Sequence, residues 1–184
     1  MKRLFDVFVS SLLLIFVAPF MLLIAFVIKL DSHGNVLYKQ ERVGRYGKPF
    51  QMYKFRSMVA NADKIGDYFT KPGDTRVTKA GKFLRKSSLD EVPQLVNVLK
   101  GDMSLVGPRP DVVAQRDYYT DEEWKLRHTL RPGITGLAQA TVRSETTMEE
   151  RKALDLEYVS KSSLVYDLMI ILKTAKQIIL KGSH

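Results

Sequence analysis

The stretch Val7 to Ile28, VFVSSLLLIFVAPFMLLIAFVI, holds 22 residues without a charge. As a helix rising about 1.5 Å per residue it reaches roughly 33 Å, enough to cross the hydrocarbon core of a bilayer. A cleaved signal peptide is the first alternative, since Lys2 and Arg3 precede the run. Its apolar part exceeds the usual ~7–15 residues, however, and no small-x-small pattern follows, so the sequence predicts a retained membrane anchor. Pro19 lies just past the middle, where it removes a backbone bond and kinks a helix. Basic residues flank both ends: Lys2 and Arg3 before, then Lys29, Lys39, Arg42, Arg45 and Lys48 after. The positive-inside tendency would place both flanks on the cytoplasmic side, which a re-entrant helix broken at Pro19 satisfies and a straight span does not. An ordinary kinked transmembrane helix is the competing reading, since prolines occur in those too.

The rest of the chain is long enough for one globular domain. Its charge is lopsided. The chain carries 29 Lys+Arg against 20 Asp+Glu, a net +9. Asp31 to Pro110 holds 15 basic and 8 acidic residues, whereas Asp111 to His184 holds 11 of each. The first half is therefore where an anionic ligand such as a phosphate is expected. With no cysteine there is no disulfide, thiolate nucleophile or cysteine-ligated zinc. The three histidines, His33, His128 and His184, show no ligand spacing.

After the anchor, the pattern predicts a hairpin with strands from Val36 and from Phe50 to Met58 around a Gly44/Gly47 turn, with Lys54 and Arg56 on one cationic face. Asn61 to Lys79 reads as a loop. Helices are predicted at Gly81–Arg85, around Asp90–Leu99, at Val112–Tyr118, Glu122–His128 and Glu149–Val159, and at the C-terminus. No strand–helix alternation of the kind that builds a parallel sheet is visible. In the last helix Val165, Leu168, Met169, Leu172, Ala175 and Ile179 follow helical spacing beside Lys173, Lys176 and Lys181, which suits either a membrane-surface helix or a core helix.

The segment RKSSLDEVPQLVNVLKGDMSLVGPRP, Arg85 to Pro110, sets Asp90 and Glu91 between Arg85, Lys86 and Arg109. Ser88 with Glu91 three residues later fits a capping box, so the acidic pair also suits the positive end of a helix. Such surroundings favour the ionised carboxylate, with a pKa at or below ~3.9 for Asp90. An ionised aspartate can attack phosphorus to form an acyl phosphate. Asp90 and Glu91 are also the candidate ligands for Mg²⁺, which takes few carboxylates and completes its shell with phosphate oxygens. In GPRP and RPGITG, Arg109 and Arg131 each precede a proline and are biased toward extended backbone. Their guanidinium forks are partly preorganised for phosphate, and Gly107, Gly133 and Gly136 allow close backbone approach.

KFRSM, SSLDEVPQLVNVLKGDMSLVGPRP and RPGITGLAQ, in this order after a Lys-Arg-x-x-Asp start and a proline-containing apolar helix, resemble the bacterial sugar transferases called monotopic phosphoglycosyl transferases. The resemblance runs from Lys2 to the C-terminal helix. It implies transfer of a sugar-1-phosphate from a UDP-sugar to polyprenyl (undecaprenyl) phosphate with release of UMP, the first membrane step of a surface glycan or glycoconjugate pathway such as exopolysaccharide or lipopolysaccharide. The implied nucleophile is Asp90, forming a covalent aspartyl phospho-sugar, with Glu91 as its partner and Mg²⁺ as cofactor. Phosphate or nucleotide contacts fall on Lys54, Arg56, Arg85, Arg109, Arg131, Arg143 and Asp167, with the division between Lys54 and Arg56 open. The membrane element matches at Lys2, Arg3, Asp6, Ala18 and Pro19, and the family settles the topology on re-entry.

The implied architecture is α+β and mostly helical. Residues 1–30 form a re-entrant membrane helix broken at Pro19; residues 31–184 form a cytoplasmic catalytic domain with a small β-hairpin and amphipathic interfacial helices. The implied location is the cytoplasmic face of the bacterial inner membrane. Two other classes compete. A membrane-tethered nucleic-acid binder would use the net charge with Tyr46, Phe50, Tyr53 and Phe55, but leaves Asp90 and Glu91 repelling the ligand. A non-catalytic scaffold would reduce the pair to a helix cap. The expected partners are a UDP-sugar, polyprenyl phosphate and the bilayer, with no nucleic acid.

Overall fold

Helix α1, Lys2–Asp31, organises the molecule. The computed structural model describes residues 1–65, 73–142 and 147–181. At 30 residues α1 is about 45 Å long. It runs on through Pro19, whose missing N–H frees the Ile15 carbonyl one turn back. One face of α1 packs along the rest of the protein and the other is bare. Phe5, Val9, Leu14 and Val17 lie on a core of Leu95, Leu105, Val106, Leu137, Ala140, Tyr158 and Ile170. Further along, Met21, Ile24 and Ile28 meet Phe55 and Leu84. These positions recur every three to five residues, the spacing of a helix face. Leu4, Phe8, Ile15, Phe16, Phe20, Leu23, Phe26 and Leu30 are exposed on the remaining surface. α1 is long and apolar enough to cross a membrane.

Both ends of α1 are tied to the same body. At the start, Lys2 Nζ donates to Asp167 Oδ2 at 2.6 Å and to the Val106 carbonyl at 3.1 Å. Arg3 donates to the Val98 and Leu99 carbonyls at 2.5 and 2.9 Å. Asp6 is buried and accepts from the Ser104 hydroxyl at 2.8 Å and the Leu105 N–H at 3.2 Å. At the other end Asp31 Oδ2 accepts from the Ala80 N–H at 3.0 Å. Arg56 donates there to the Ile28 and Ser32 carbonyls at 3.3 and 2.7 Å.

The predicted hairpin is present as β1, Leu37–Val43, and β2, Pro49–Phe55, antiparallel with Leu37 opposite Phe55 and Val43 opposite Pro49. Its turn, Arg45–Gly47, places Tyr46 and Gly47 at positive φ. A single helical turn, α2 (Ala62–Ile65), lies in the stretch read as loop. Helices α3 (Lys79–Lys86) and α4 (Gln94–Lys100) follow. The Val112–Tyr118 region is a 3₁₀ segment over Val113–Tyr118. Then come α5 (Asp121–Arg127), α6 (Leu137–Thr141), α7 (Met148–Lys161) and α8 (Leu164–Lys181).

One expectation is corrected. Ser104–Val106 (β3) and Gly133–Thr135 (β4) form a small parallel pair, linked by a crossover that contains α5. Strands of three residues, one of them buried throughout, show no alternation to read. The glycines nearby serve this pairing: a Cβ on Gly133 would overlap the Gly107 nitrogen, and one on Gly107 the Arg131 carbonyl. Their close approach is between backbones within the protein.

Met52, Val98 and Met103 form a third cluster that joins the hairpin to α4. Burying each such side chain stabilises the fold by roughly 1.5–3 kcal/mol. Helix α8 divides its faces between the two alternatives its sequence offered. Asp167 and Ile170 are buried against the core, whereas Val165, Leu168, Met169 and Leu172 are exposed.

Candidate active site

The acidic pair sits where α3 gives way to α4. Ser88 adopts a left-handed backbone, φ 55 and ψ 15, which turns the chain into the 3₁₀ segment Leu89–Glu91. The predicted capping box does not form, since Ser88 makes no side-chain cap. Pro93 then starts α4 with φ −59, a value its ring imposes. Freed from capping, the Glu91 carboxylate turns to two cations. Its Oε1 accepts from Lys54 Nζ at 2.7 Å and from Arg109 Nη2 at 3.1 Å.

Lys54 is brought there by β2, and β2 is held by α4. Buried Asn97 accepts from the Tyr53 N–H at 2.9 Å and donates to the Gln51 carbonyl at 2.7 Å, so one amide fixes the residues on either side of Met52. Lys54 is thereby set opposite Glu91. Arg109 reaches from the other side, half-exposed, out of the GPRP turn. Arg42, Met52, Lys54, Glu91, Gln94, Arg109, Pro110, Gly133 and Ile134 line one small pocket.

The electrostatics separate the two carboxylates. Burial alone would raise Glu91, but Lys54 and Arg109 together hold it down at about 2. Asp90 goes the other way. It is 8% exposed, and burial pushes its carboxyl above the usual value despite the pull of Lys54, Arg85 and Arg109. The expectation of a pKa at or below ~3.9 is thus corrected, because desolvation outweighs the surrounding cations. Burial lowers Lys54, partly offset by Glu91. Glu91 raises Arg109.

Sequence comparison matches the description "Bacterial sugar transferase" over residues 1–181. The chain belongs to the bacterial sugar transferase family. It is 45% identical over 182 residues to the UDP-glucose:undecaprenyl-phosphate glucose-1-phosphate transferase of Escherichia coli K12, covering 95% of this chain and 39% of that protein. A protein of the same description from Caulobacter vibrioides is 45% identical over 185 residues, covering 97% of this chain and 69% of the relative. The exopolysaccharide production protein PSS of Rhizobium leguminosarum is 43% identical over 193 residues, covering 99% and 96%. The chain thus spans about two fifths of the first relative and nearly all of the last.

In this sugar transferase the structure brings together five of the residues singled out from sequence: Lys54, Arg85, Asp90, Glu91 and Arg109. Arg85 Nε donates to Ser57 Oγ at 2.9 Å, and its charge faces Asp90. Three others lie elsewhere. Arg56 gives its donors to the end of α1 and to the Asn35 carbonyl, whereas Lys54 pairs with Glu91. Arg131 donates to the Gly101 carbonyl at 2.8 Å, next to Arg3 and Arg45. Asp167 is wholly buried with Lys2 and Tyr158. Arg143 lies outside the described residues. Lys2, Arg3 and Asp6 fasten α1 as described above; Ala18 and Pro19 lie within it.

Sequence reasoning missed Arg42, which stands two residues from Gln40 on β1, on the face that pairs with Met52 and Lys54. Only the register, with Gln40 opposite Met52, would have revealed it. For a metal, the donor set is two adjacent carboxylates; among the described residues no group of three His, Cys, Asp or Glu could hold an ion. Two hard oxygen ligands suit Mg²⁺, which keeps waters and takes phosphate oxygens for the rest of its shell.

Proposed function

We propose that this sugar transferase moves a sugar-1-phosphate from a UDP-sugar to polyprenyl phosphate at the cytoplasmic face of the bacterial inner membrane. The observation that carries this reading is the contrast within the dyad: a desolvated Asp90 beside a Glu91 already neutralised by Lys54 and Arg109. Relatives whose names specify undecaprenyl phosphate and UDP-glucose support the same acceptor and donor class. An Asp90 oxygen attacks the phosphorus that carries the sugar. The bond from that phosphorus to the bridging oxygen breaks, and UMP leaves with the electron pair. A phosphate oxygen of the polyprenyl acceptor then attacks the same phosphorus, releasing polyprenyl diphosphate sugar and the free carboxylate. Glu91 holds Lys54 and Arg109 facing the pocket, where they meet charge that would otherwise repel Asp90. Asp90 and the second oxygen of Glu91 would hold Mg²⁺, which supplies Lewis-acid withdrawal of charge from the diphosphate. A panel of UDP-sugars incubated with the purified protein, Mg²⁺ and polyprenyl phosphate tests the reading by UMP release. Release from at least one sugar is expected. No release from any would remove it.

The membrane arrangement we infer is re-entrant or in-plane, with both ends of α1 on one side. Both ends of α1 and its inner face rest on one body, which supports keeping those ends on the same side of the bilayer. The chain has no cysteine of its own. A cysteine inserted directly before Lys2 and a separate His33→Cys are therefore both expected to react with a membrane-impermeant maleimide from the cytoplasmic side only. Labelling of the two from opposite sides would overturn this topology.

A further inference from the structure

Arg109 lies between Pro108 and Pro110, so neither neighbour has a backbone N–H with which to anchor it. The turn is fastened through its carbonyls instead. Gly133 N–H donates to the Pro108 carbonyl at 2.9 Å, and Val43 N–H to the Asp111 carbonyl at 2.9 Å. Arg42 Nη1 donates to the Pro110 carbonyl at 2.9 Å. Arg127 Nη2 donates to the Arg109 carbonyl itself at 2.8 Å. Four consecutive carbonyls are thus held from β4, β1 and α5.

Among these donors Arg127 needs a separate explanation. It is 3% exposed and lies between two buried carboxylates, paired closely with Asp111 and bonded to Asp155 at 2.7 and 3.2 Å. Burying three ionisable groups carries a desolvation penalty, and well-packed apolar residues of the same volume are often as stable or more so. Asp155 Oδ1 has no hydrogen-bond partner, which adds to the cost. What an apolar replacement could not do is reach the turn twice. Arg127 grips both the Arg109 carbonyl and the Asp111 side chain, while Asp155 on α7 fixes it from behind.

We propose that Arg127, held by Asp155 and Asp111, is a positioning residue that sets Arg109 over Glu91 and so controls the grip of the site on the anionic donor. This rests on the transferase reading above. The test is a double-mutant cycle on the full-chain enzyme with Arg127→Lys, Arg109→Lys and the pair, measuring KM for the UDP-sugar and kcat. One ammonium cannot reach Asp111, Asp155 and the Arg109 carbonyl together. Arg127→Lys is therefore expected to raise KM for the donor by about 5-fold or more, with a smaller change in kcat. In the Arg109→Lys background the same substitution is expected to add less than about 2-fold, because the group it positions is already gone. Losses that multiply would show that Arg127 acts only on general stability and overturn the inference. Should Arg127→Lys fail to fold, Asp155→Asn, which keeps an oxygen facing Arg127, runs the same cycle with the same two outcomes. A wild type that releases no UMP from any UDP-sugar removes the transferase reading and this inference with it. An active wild type with multiplying losses removes the inference alone.

Discussion

Asp90→Asn is expected to lower transfer by at least ~10³-fold, equivalent to about 4 kcal/mol of transition-state stabilisation, and to leave no phospho-sugar on the enzyme. The substitution keeps the size and the surroundings of the side chain. It removes only the charged oxygen that would attack phosphorus. Wild-type enzyme mixed with the correct UDP-sugar and Mg²⁺, without polyprenyl phosphate, should release up to one equivalent of UMP and gain the mass of one phospho-sugar on the peptide containing Asp90. In Asp90→Asn both signals should vanish together. UMP release that requires the lipid acceptor, with no adduct after rapid quenching, would instead indicate direct transfer in a ternary complex.

The same carboxylate gives a pH signature. Burial raises Asp90 above its ordinary ~3.9, and only the ionised form attacks. Activity is then lost as pH falls through the raised value, so the acid limb of kcat/KM should lie above the range of an ordinary aspartate. Glu91, held at about 2, stays ionised across that range and contributes no limb. A limb in the ordinary aspartate range or below it would mean that the cations around Asp90 outweigh its burial.

How much of this was legible in the sequence depended on the range of each interaction. The apolar run of α1, the hairpin and most helices are local patterns, and they were readable. So was the grouping of Arg85, Asp90, Glu91 and Arg109, because an acidic pair amid cations in a basic half points to an anion site; Lys54 entered only through the family resemblance. The capping signature shows where local reading fails. Ser88 to Glu91 carries the pattern without the geometry, whereas Thr120 with Glu123 and Thr147 with Glu150 form the box. Spacing is identical in all three, but at Glu91 two charge-assisted bonds to Lys54 and Arg109 win over a backbone N–H. Those partners are 37 and 18 residues away. Arg56, Arg131 and Asp167 illustrate the converse: in the folded chain they bond to backbone carbonyls and to Lys2, away from the acidic pair. Arg42, Asn97 and Arg127 carried no signal, because their roles arise from strand register and from contacts that only the folded chain brings together.

Asp167→Ala is the second large effect expected, and it falls on stability. Asp167 is wholly buried and its two oxygens accept from Lys2 Nζ at 2.6 Å and the Tyr158 hydroxyl at 2.7 Å. Truncation leaves Lys2 without its main partner, 4.0 Å from Asp6 and bonded to the Val106 carbonyl, while Tyr158 keeps that same carbonyl. Breaking one side of a buried pair typically costs about 3–5 kcal/mol, and because the Lys2 side chain is 31% exposed and can be rehydrated, the loss here is expected at the lower end, about 3 kcal/mol. For a protein of this size that is a fall of roughly 10 °C in the denaturation midpoint, measured in detergent. Because the broken contact is the one that fastens the start of α1 to α8, Lys2→Ala should cost little more once Asp167 is gone. A phosphate-binding Asp167 would behave differently, raising KM for the donor at an unchanged midpoint. The two measurements together therefore decide whether this carboxylate serves the membrane helix or the substrate.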